Sequence, residues 1–255
     1  MSKTLIGYTG FVGKLLTKQT KFEQFYNSKN IDDIKNFNHK TIVCSGSPGI
    51  KWLANKYPRA DLDNINKLIY NLKQINCKKI ILISTVDVFK EPYLVDEDSK
   101  PTSKGLHPYG RNRLILEEFI TSNFNDYLIV RLSGLVGEGL KKNIIYDFLN
   151  NNNLDKIDSR NYFQFYPMVN LWNDIEISLI NNLRLIHLTA EPINVSELAE
   201  YCFNIEFKNR LSQPVINYDF RTKYSFLFGK EKFYQYSKNI IINEVKKYIF
   251  NEKKI

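Results

Sequence analysis

The sequence is poor in the residues that build metal centres and disulfide frameworks. It contains three cysteines and three histidines among 255 residues. Cys44, Cys77 and Cys202 are odd in number, far apart and set in apolar segments, a pattern typical of buried thiols rather than of disulfides or zinc ligands. The histidines are also dispersed, so no metal site is predicted from them: His39, His107 and His187.

Long apolar runs are missing as well. No run approaches the roughly 18 residues that a membrane helix needs, and a first strand predicted from about Lys3 leaves no room for a signal peptide. We therefore expect a soluble, cytoplasmic protein with no membrane partner. The hydrophobic fraction of 43% is enough for a sizeable core, in one large domain or in one domain with a smaller appendage.

Acidic residues are fewer than basic ones, which gives a net charge of +9. Most of this excess lies in residues 221–254, where nine Lys or Arg stand against three Glu. Aromatic residues are interleaved over the first half of this stretch: Tyr224, Phe226, Phe228, Phe233, Tyr234 and Tyr236. Such a mixture can stack nucleic-acid bases along a basic groove, but an amphipathic cover with solvated lysines is favoured. A basic surface near a cleft also attracts phosphorylated ligands.

Glycine is scarce too, with 11 residues, yet three glycines stand together near the amino terminus. Gly7, Gly10 and Gly13 lie between a short apolar strand and an amphipathic helix. In such a motif the glycines serve a tight turn, close approach to a pyrophosphate and close packing of helix on strand, with the phosphates at the helix N-terminus. The spacing predicts a dinucleotide-binding loop, and a turn without a ligand is the alternative.

Apolar segments alternate with helical periodicity through the first half of the chain. The predicted strands are residues 4–7, 22–26, 41–44, 79–84 and 127–132, and the predicted helices are 11–18, 61–76 and 109–122. The connection over 27–40 has room for a helix of one or two turns at most. This order predicts an α/β fold with a doubly wound, Rossmann-like parallel sheet.

The alternation weakens after a helix predicted at Ile144–Leu149 and a loop over residues 150–153. We therefore predict a dinucleotide-binding domain over 1–150 and a small α/β substrate-binding lobe over 151–255, with the chain free to cross between them. In that lobe, Ser196 or Asn194 is expected to cap a helix that continues through Glu197.

A predicted buried strand ends in two hydroxyl side chains, Ser84 and Thr85. Ligands bind beyond the carboxyl ends of such strands. Pro108 then opens a helix with Tyr109 and Arg113 four residues apart on one face. Moving the pKa of tyrosine from about 10 to 7 takes about 4 kcal/mol, which a guanidinium and a cationic nicotinamide together can supply. Tyr109 is therefore a candidate base, and an ordinary exposed helix start is the alternative.

Five stretches in order resemble the short-chain dehydrogenase/reductase superfamily, in its extended, NAD(P)-dependent epimerase/dehydratase branch, which includes nucleotide-sugar reductases. The resemblance covers roughly residues 3–202. Its motifs are the glycine loop 9–13, the strand end at Ser84 and Thr85 followed by Val88 and Phe89, the helix opening at Tyr109 and Gly110, the strand and turn 131–137, and the strand and helix 188–199.

The resemblance implies that Tyr109 is a general acid/base and that Thr85 is its hydroxyl partner. Arg113 stands where the family has a lysine that binds the nicotinamide ribose, lowers the tyrosine pKa and joins a proton relay. Arginine keeps the charge and the donors but does not readily release a proton. We therefore expect Arg113 to bind the ribose rather than to carry a proton. The resemblance also places the strand and turn 131–137 at the nicotinamide end of the cofactor. Members of the family often form homodimers through the helices after Asp61 and Tyr109, so the resemblance allows a homodimer here.

The expected cofactor contacts are Gly7, Thr9, Gly10, Phe11, Val12, Gly13, Asn27, Ser28, Lys29, Ser45, Gly46, Tyr109, Arg113, Leu132, Ser133 and Leu135. The tip of the second strand decides between NAD and NADP, because an acidic residue there binds the adenosine ribose and a basic one accepts a 2′-phosphate. Asn27, Ser28 and Lys29 occupy this tip and slightly favour NADP. A boundary error of a few residues would instead bring Asp32 or Asp33 into range.

Two further groups of residues allow either a functional or a packing interpretation. Trp52 and Asn55 follow the small residues 44–49 and can lie at the rim of the site, although helix packing is the favoured interpretation for Trp52. An aromatic cluster fits a substrate pocket and a core strand equally well: Tyr162, Phe163, Phe165 and Tyr166.

The sequence thus predicts an NAD(P)-dependent oxidoreductase or epimerase that acts on a nucleotide-linked sugar, with hydride transfer at the nicotinamide and proton transfer by Tyr109. A catalytically silent NAD(P)-binding sensor or partner protein is the alternative, because Arg113 replaces the lysine. Nucleic-acid binding by the basic C-terminus ranks third, because it leaves the intact glycine loop without a purpose.

Overall fold

The computed structural model describes residues 2–230 and 232–253. Two charges counted in the basic C-terminal stretch, Glu231 and Lys254, lie outside the described residues. Among those that are described, no helix is both long and apolar enough to cross a bilayer.

Short strands and helices alternate along the chain. The strands are β1 Lys3–Ile6, β2 Gln24–Tyr26, β3 His39–Cys44, β4 Cys77–Thr85, β5 Tyr93–Val95, β6 Tyr127–Leu132, β7 Gly134–Val136, β8 Tyr162–Phe163, β9 Phe165–Pro167, β10 Leu185–Leu188, β11 Ile193–Asn194 and β12 Asp219–Phe220. The α-helices are α1 Phe11–Gln19, α2 Lys51–Lys56, α3 Pro58–Leu72, α4 Pro108–Asn123, α5 Ile144–Leu149, α6 Leu171–Ile180, α7 Val195–Phe203 and α8 Lys238–Glu252. Short 3₁₀ helices occupy Ile31–Asn36, Val86–Val88, Leu154–Lys156, Met168–Asn170 and Ser225–Phe228.

Six strands form the parallel sheet that the sequence predicts, in the order β10-β6-β4-β3-β1-β2. Leu5 of β1 lies opposite Phe25 of β2 on one side and opposite Val43 of β3 on the other. Strand order runs outward in both directions from the β1–β3 neighbourhood, which is the arrangement of a doubly wound sheet. The predicted fold class is therefore confirmed.

The core of the sheet forms because apolar strand residues meet apolar helix faces. Ile42, Ile80 and Leu82 are buried in the sheet. Three residues of α3 and three of α4 belong to the same buried cluster: Ile65, Leu68, Leu72, Leu116, Phe119 and Ile120. Their spacing of three and four residues is that of a helix face, and it explains why helical periodicity was readable in these segments.

Most predicted boundaries lie within a few residues of the observed ones. The helix predicted over 61–76 begins earlier, at Pro58, because proline suits the first turn of a helix. It ends at Leu72, where the Lys73 N–H still reaches the Ile69 carbonyl. The short helix allowed between β2 and β3 is the 3₁₀ helix Ile31–Asn36.

The chain forms two compact units that do not divide at residue 150. The first contains the chain up to Lys90 together with Lys100–Arg131 and Leu171–Ile186. The second contains Glu91–Ser99, Leu132–Asn170 and the chain from His187 onwards. The division differs from the predicted one because Leu171–Ile186, which contains α6, belongs to the first unit, whereas Glu91–Ser99 and the chain from Leu132 to residue 150 belong to the second. The chain crosses between the units, as the sequence analysis allowed.

The second unit is built from α5, α7 and α8 and from small two-stranded sheets that pair β7 with β9, β8 with β11, and β5 with β12. Gln164 is buried at its centre and donates to the carbonyls of Ala190 and Phe220 at 2.7 and 2.8 Å. Asn194 accepts a hydrogen bond from the Ser196 N–H at 2.9 Å, which confirms Asn194 as the cap of α7.

The aromatic cluster divides between the core and the surface of this unit. Phe165 and Tyr166 are buried in β9, whereas Tyr162 of β8 is exposed and Phe163 is half-buried. The basic C-terminal stretch resembles the amphipathic cover that the sequence favours. Its helix α8 buries Ile241, Val245, Tyr248 and Ile249. Several of its cations are paired in the second unit: Arg221 with Asp219, Lys223 with Asp98, Lys238 with Glu197 and Lys247 with Glu244.

The described cysteines are all free thiols. Cys44 is buried, as predicted, but Cys77 and Cys202 are only partly covered. Burial raises the pKa of each thiol to about 11. The thiols are therefore protonated and unreactive at neutral pH.

A buried ion pair fixes α4 against the sheet of the first unit. The Arg131 guanidinium donates to the Glu117 carboxylate from Nη2 at 2.7 Å and from Nε at 3.1 Å. Ser84 donates to the same carboxylate at 2.5 Å. Both charged side chains are nearly inaccessible to solvent. The Arg131 side chain is therefore engaged within the core of the first unit.

Replacing Glu117 by leucine should lower the free energy of unfolding by about 3–5 kcal/mol, because Arg131 would remain buried without its counter-charge. Urea unfolding at neutral pH measures this loss. The double variant Glu117→Leu, Arg131→Met should recover most of it, since no unpaired charge remains. If the single and the double variant lose the same free energy of unfolding, neutralisation of the Arg131 charge is not what the pair contributes to stability.

Candidate active site

The glycine loop joins β1 to α1, and two of its glycines are required by close packing. Gly7 has a φ of +88°, a conformation that other residues rarely adopt. A Cβ there would collide with the Ser45 carbonyl. At Gly13, a Cβ would collide with the Gly7 carbonyl and would lie 2.7 Å from the Tyr8 Cα. Helix α1 can therefore approach the loop only with glycine at position 13.

The third glycine of the loop has no such packing role. Gly10 is the N-cap of α1, with a φ of −76° that any residue can adopt. A Cβ at Gly10 would meet only the Gly7 carbonyl, at 3.3 Å. The first N–H groups of a helix have no partner within the helix, and Gly10 contributes no side-chain cap. Thr9 and Gly10 are exposed and Phe11 and Val12 are half-buried, so this edge of the loop is open to a ligand.

Asn27, Ser28 and Lys29 directly follow β2, where the sequence placed them. The Asn27 carboxamide oxygen accepts the Lys29 N–H at 2.8 Å, which closes a tight turn. Ser28 and Lys29 are exposed. The strand tip therefore carries a cation and no acid.

Asp32 and Asp33 do not lie at this tip but in the following 3₁₀ helix. The Asp32 carboxylate is engaged by Asn71 at 3.0 Å and by Lys67 at 3.1 Å. Hydrogen bonds from these two side chains hold the pKa of Asp32 below its ordinary value. Lys67 of α3 also reaches the Ser28 carbonyl at 3.4 Å. Sequence reasoning did not identify Lys67, because it comes from a helix 39 residues after Ser28.

The small residues after β3 face the glycine loop. Ser45 donates from Oγ to the Ile6 carbonyl at 2.9 Å, and a Cβ on Gly46 would lie 2.9 Å from the Ile6 side chain. Ser47 was not among the expected contacts. Its Oγ is buried, and within the described part of the chain it has no hydrogen-bond partner.

Thr85 and Tyr109 come together as predicted. Thr85 is the last residue of β4, and Tyr109 lies in the first turn of α4. The Tyr109 side chain is 9% exposed. Burial raises the pKa of Tyr109, and the negative charge of Asp87 adds to this rise. The rise is opposed by the positive charges of Arg113 and Lys51 and by a hydrogen bond with Thr85. In the ligand-free protein, Tyr109 is therefore protonated at neutral pH.

Arg113 is almost fully engaged by protein groups. Its Nη2 donates to Asp61 at 2.9 Å and its Nη1 to the other oxygen of the same carboxylate. The two nitrogens also donate to the carbonyls of Pro48 and Tyr109. The guanidinium carbon lies 4.0 Å from the centre of the Tyr109 ring. The remaining donor, Nε–H, is buried without a partner among the described residues.

Three charged or titratable side chains that the sequence analysis did not assign surround Thr85 and Tyr109. Asp87, two residues after Thr85, accepts from the Lys51 ammonium at 2.6 Å. His107 Nε2 lies 3.7 Å from the same Asp87 oxygen, and its Nδ1 caps α4 by accepting the Gly110 N–H at 3.0 Å. Of these three residues, only Asp87 carries a signal in the sequence, because it lies just beyond a strand end.

Asn55 and Trp52 lie on the short helix α2. The Asn55 carboxamide accepts the Tyr109 N–H at 3.0 Å, so Asn55 contacts the start of α4, in agreement with a rim position. Trp52 is 65% exposed. The favoured interpretation of Trp52 as a helix-packing residue is therefore wrong. Helix α2 packs through the buried Ala54 and through the hydrogen bonds of Lys51 and Asn55 instead.

The last three expected cofactor contacts belong to the second unit. Leu132 ends β6 and is buried, Ser133 donates its N–H to the Leu188 carbonyl at 3.3 Å, and Leu135 is half-buried in β7. Their contact with a cofactor stays a prediction. No group of three His, Cys, Asp or Glu side chains suited to a metal ion occurs within residues 2–230 and 232–253.

No protein-family model matches the sequence, and no curated protein matches it. Solved structures do match over the whole chain. UDP-glucose 4-epimerase from Thermotoga maritima, solved with UDP-glucose, has a TM-score of 0.74 at 13% identity and covers 100% of this chain and 99% of its own. The dTDP-4-dehydrorhamnose reductase of Bacillus anthracis, solved with NADP, has a TM-score of 0.73 at 17% identity and covers 98% and 99%.

A third similar structure is UDP-N-acetylglucosamine 4-epimerase from Methanobrevibacter ruminantium, solved with UDP-N-acetylmuramic acid. Its TM-score is 0.74 at 12% identity, with 99% of this chain and 98% of its own covered. At these identities the likeness establishes the fold. The chain has the fold of these three enzymes, in agreement with the fold that the resemblance to the extended short-chain dehydrogenases/reductases implies.

Proposed function

We propose that this protein is an NAD(P)-dependent oxidoreductase or epimerase acting on a nucleotide-linked sugar. The observation that carries the proposal is Gly10. Packing excludes a side chain at Gly7 and Gly13, whereas a Cβ at position 10 would meet only the Gly7 carbonyl, at 3.3 Å, so packing alone does not exclude a side chain there. A phosphate group approaching the start of α1 does require it, because a side chain there would occupy the position of the ligand.

The residues present fit a dinucleotide. The open edge of the glycine loop suits the pyrophosphate. Arg113 Nε–H and Ser47 Oγ are both buried without a hydrogen-bond partner in the described chain, and Arg113 also donates to Pro48, the neighbour of Ser47. A buried polar atom without a partner costs about 1–3 kcal/mol. The hydroxyls of the nicotinamide ribose would satisfy both atoms.

The chemistry supplied by a bound nicotinamide is hydride transfer to or from a sugar carbon. Tyr109 holds its proton in the free protein, because burial raises its pKa. It is therefore ready to donate to a ketone oxygen, and it accepts a proton from a carbinol only when nearby positive charge favours the phenolate. The Thr85 hydroxyl, adjacent to Tyr109, holds the same oxygen in place.

A nucleotide sugar is the proposed substrate because similar structures are named for enzymes of UDP- and dTDP-linked sugars. This is an argument by analogy of fold. For the cofactor we propose NADP. Lys29 is exposed at the tip of β2, Lys67 lies beside Ser28, and the Asp32 carboxylate is already engaged by Lys67 and Asn71.

A cofactor-binding protein without turnover is the second candidate. The bidentate pair between Arg113 and Asp61 favours it, because it holds the guanidinium in place and leaves one N–H for a ligand. In that case the protein binds a dinucleotide but lacks a working proton transfer at Tyr109.

Calorimetric titration with NADPH, NADP, NADH and NAD tests the dinucleotide site. One redox pair should bind to the natural protein and should not bind to Gly10→Asp, because a carboxylate at the helix start repels the pyrophosphate. Aspartate is a good N-cap, so the variant should stay as stable as the parent protein. Gly13→Ala is the matched control for a packing glycine and should lower the unfolding temperature. A folded parent that binds none of the four dinucleotides contradicts the proposal.

Cofactor preference is tested by Lys29→Met and Lys67→Met. Each should weaken NADPH binding by about tenfold and leave NADH binding within about twofold, because only NADPH carries the 2′-phosphate. Lys40→Met, at an exposed position of β3, serves as the control. Equal losses for both cofactors would show that the two lysines do not contact this phosphate.

Turnover is tested with UDP-glucose and dTDP-glucose by following the nicotinamide absorbance and the sugar product. Tyr109→Phe should lower kcat by about 10²–10⁴-fold, as expected for loss of a general acid/base, while leaving cofactor affinity within about twofold. An inactive natural protein that gains activity on Arg113→Lys would favour the silent binding protein instead.

A further inference from the structure

A second pair of opposite charges lies beside Tyr109 and has no part in the chemistry proposed above. The Lys51 ammonium, from α2, is 2.6 Å from the Asp87 carboxylate. The two partners differ in exposure: the Lys51 side chain is 42% exposed and that of Asp87 is 16% exposed. Because Lys51 is partly solvated, the pair contributes little to stability. Its position next to a buried tyrosine points to another role.

Thr85 connects the pair to Tyr109. The Thr85 hydroxyl accepts the Asp87 N–H at 3.2 Å and donates to the Asp87 carboxylate at 3.4 Å. The first turn of α4 packs directly on this segment, because a Cβ on Gly110, the neighbour of Tyr109, would collide with the Asp87 carbonyl, and a hydrogen bond with Thr85 lowers the pKa of Tyr109. The Asp87 charge therefore lies one hydroxyl away from the phenol, and Lys51 lies directly behind it.

The charged groups that face Tyr109 differ in how they are paired and in their exposure to solvent. Arg113 stacks on the ring, but its charge is permanent and is paired with Asp61. His107 is held at both ring nitrogens, because Nδ1 accepts the Gly110 N–H and Nε2 lies 3.7 Å from the Asp87 carboxylate. Lys51 is thus the one cation of this group that is both partly solvated and directly bonded to Asp87.

We propose that Lys51, held by Asp87, is a positioning residue that determines when Tyr109 gives up its proton. Without Lys51, the Asp87 carboxylate would oppose a phenolate at Tyr109. With Lys51 in place, the carboxylate is compensated and Thr85 stays oriented between the two groups. This inference rests on the proposed function, because it concerns the protonation of the proposed acid/base.

The electrostatics of the free protein agree with this geometry. The charges of Arg113 and Lys51 oppose the rise in the pKa of Tyr109 that burial causes, and the charge of Asp87 adds to the rise. Although burial disfavours its ionised form, His107 and Lys51 hold the pKa of Asp87 below its ordinary value. Asp87 is therefore an anion at neutral pH, and Lys51 offsets an existing charge.

Proton release on cofactor binding tests the inference without turnover. Positive charge brought near Tyr109 by NADP or NAD favours the phenolate, so binding releases a fraction of a proton that increases with pH. Calorimetric titration in buffers of different ionisation enthalpy measures that fraction. Tyr109→Phe identifies the part of the release that belongs to Tyr109.

The variants should move the midpoint of this pH dependence in opposite directions. Lys51→Met should raise it by about one pH unit, a tenfold weaker ionisation, because Asp87 is left uncompensated. Asp87→Asn should lower it, because Lys51 is left without its counter-charge. Lys51→Arg keeps the charge and should keep the natural midpoint. Lys56→Met is the matched control from the same helix and should also leave it unchanged.

Three outcomes would overturn the inference while leaving the proposed function in place. Normal cofactor binding with the same midpoint in Lys51→Met and Asp87→Asn would show that the pair is not coupled to Tyr109. A shift of both variants in one direction would indicate a general disturbance of the site rather than charge. A shift in Lys51→Arg equal to that in Lys51→Met would exclude charge as the cause. If the folded natural protein binds no dinucleotide, the proposed function and this inference both fail. The absence of binding heat in the titration distinguishes this case from the three above.

Discussion

The candidate site depends on the buried pair between Arg113 and Asp61. It joins α3 to α4, and through the Pro48 carbonyl it also ties α4 to the loop after β3. Burying two charges is costly unless the geometry is good and the remaining donors are satisfied. Here the pair is bidentate, Asn112 adds a bond to Asp61 at 2.8 Å, and Asp61 lies in the first turn of α3, where an anion is favoured. The start of α4, and Tyr109 with it, is therefore held in one position.

This pair also explains why arginine at position 113 differs from lysine in more than proton release. A lysine ammonium is a compact charge that cannot make the planar, two-point contact with Asp61 while also reaching a carbonyl. Arg113 reaches Asp61, Pro48 and the Tyr109 carbonyl and still retains one N–H for a ligand. Its positive charge is fixed in the structure, so the adjustable part of the electrostatics must come from other residues.

The sheet could be predicted from the sequence because its signals are local. The strand at Tyr127–Leu132 and the helices containing Leu116 and Leu68 carry their periodicity within a few turns of chain, and the glycine loop carries its own geometry. The two compact units could not be placed in this way. Their division depends on a late segment, α6 and the start of β10, returning to the first unit, and no local pattern records where a distant segment packs.

The same distinction applies to the site. Thr85, Tyr109 and Arg113 were identified because a strand end and a helix start mark them in the sequence. Asp61 lies 52 residues before Arg113, and Lys51 lies 36 residues before Asp87. A lysine on a short helix carries no sign of its partner. Trp52 was misjudged for the same reason. Its residue type favours burial, but α2 makes its contacts through Lys51, Ala54 and Asn55, and this leaves Trp52 on the outer face.

The proposed acid/base role requires that a buried tyrosine gain and lose a proton, which takes positive charge near the phenol that stabilises the phenolate without fixing it. Arg113 supplies a constant contribution, which its pair with Asp61 moderates. Asp87 alone would oppose the phenolate, and Lys51 offsets that opposition from a partly solvated position. The two ion pairs therefore have different parts in the same balance. One is buried and fixes the position of Tyr109, and the other is accessible and can adjust the proton affinity of Tyr109 when a ligand changes the local charge.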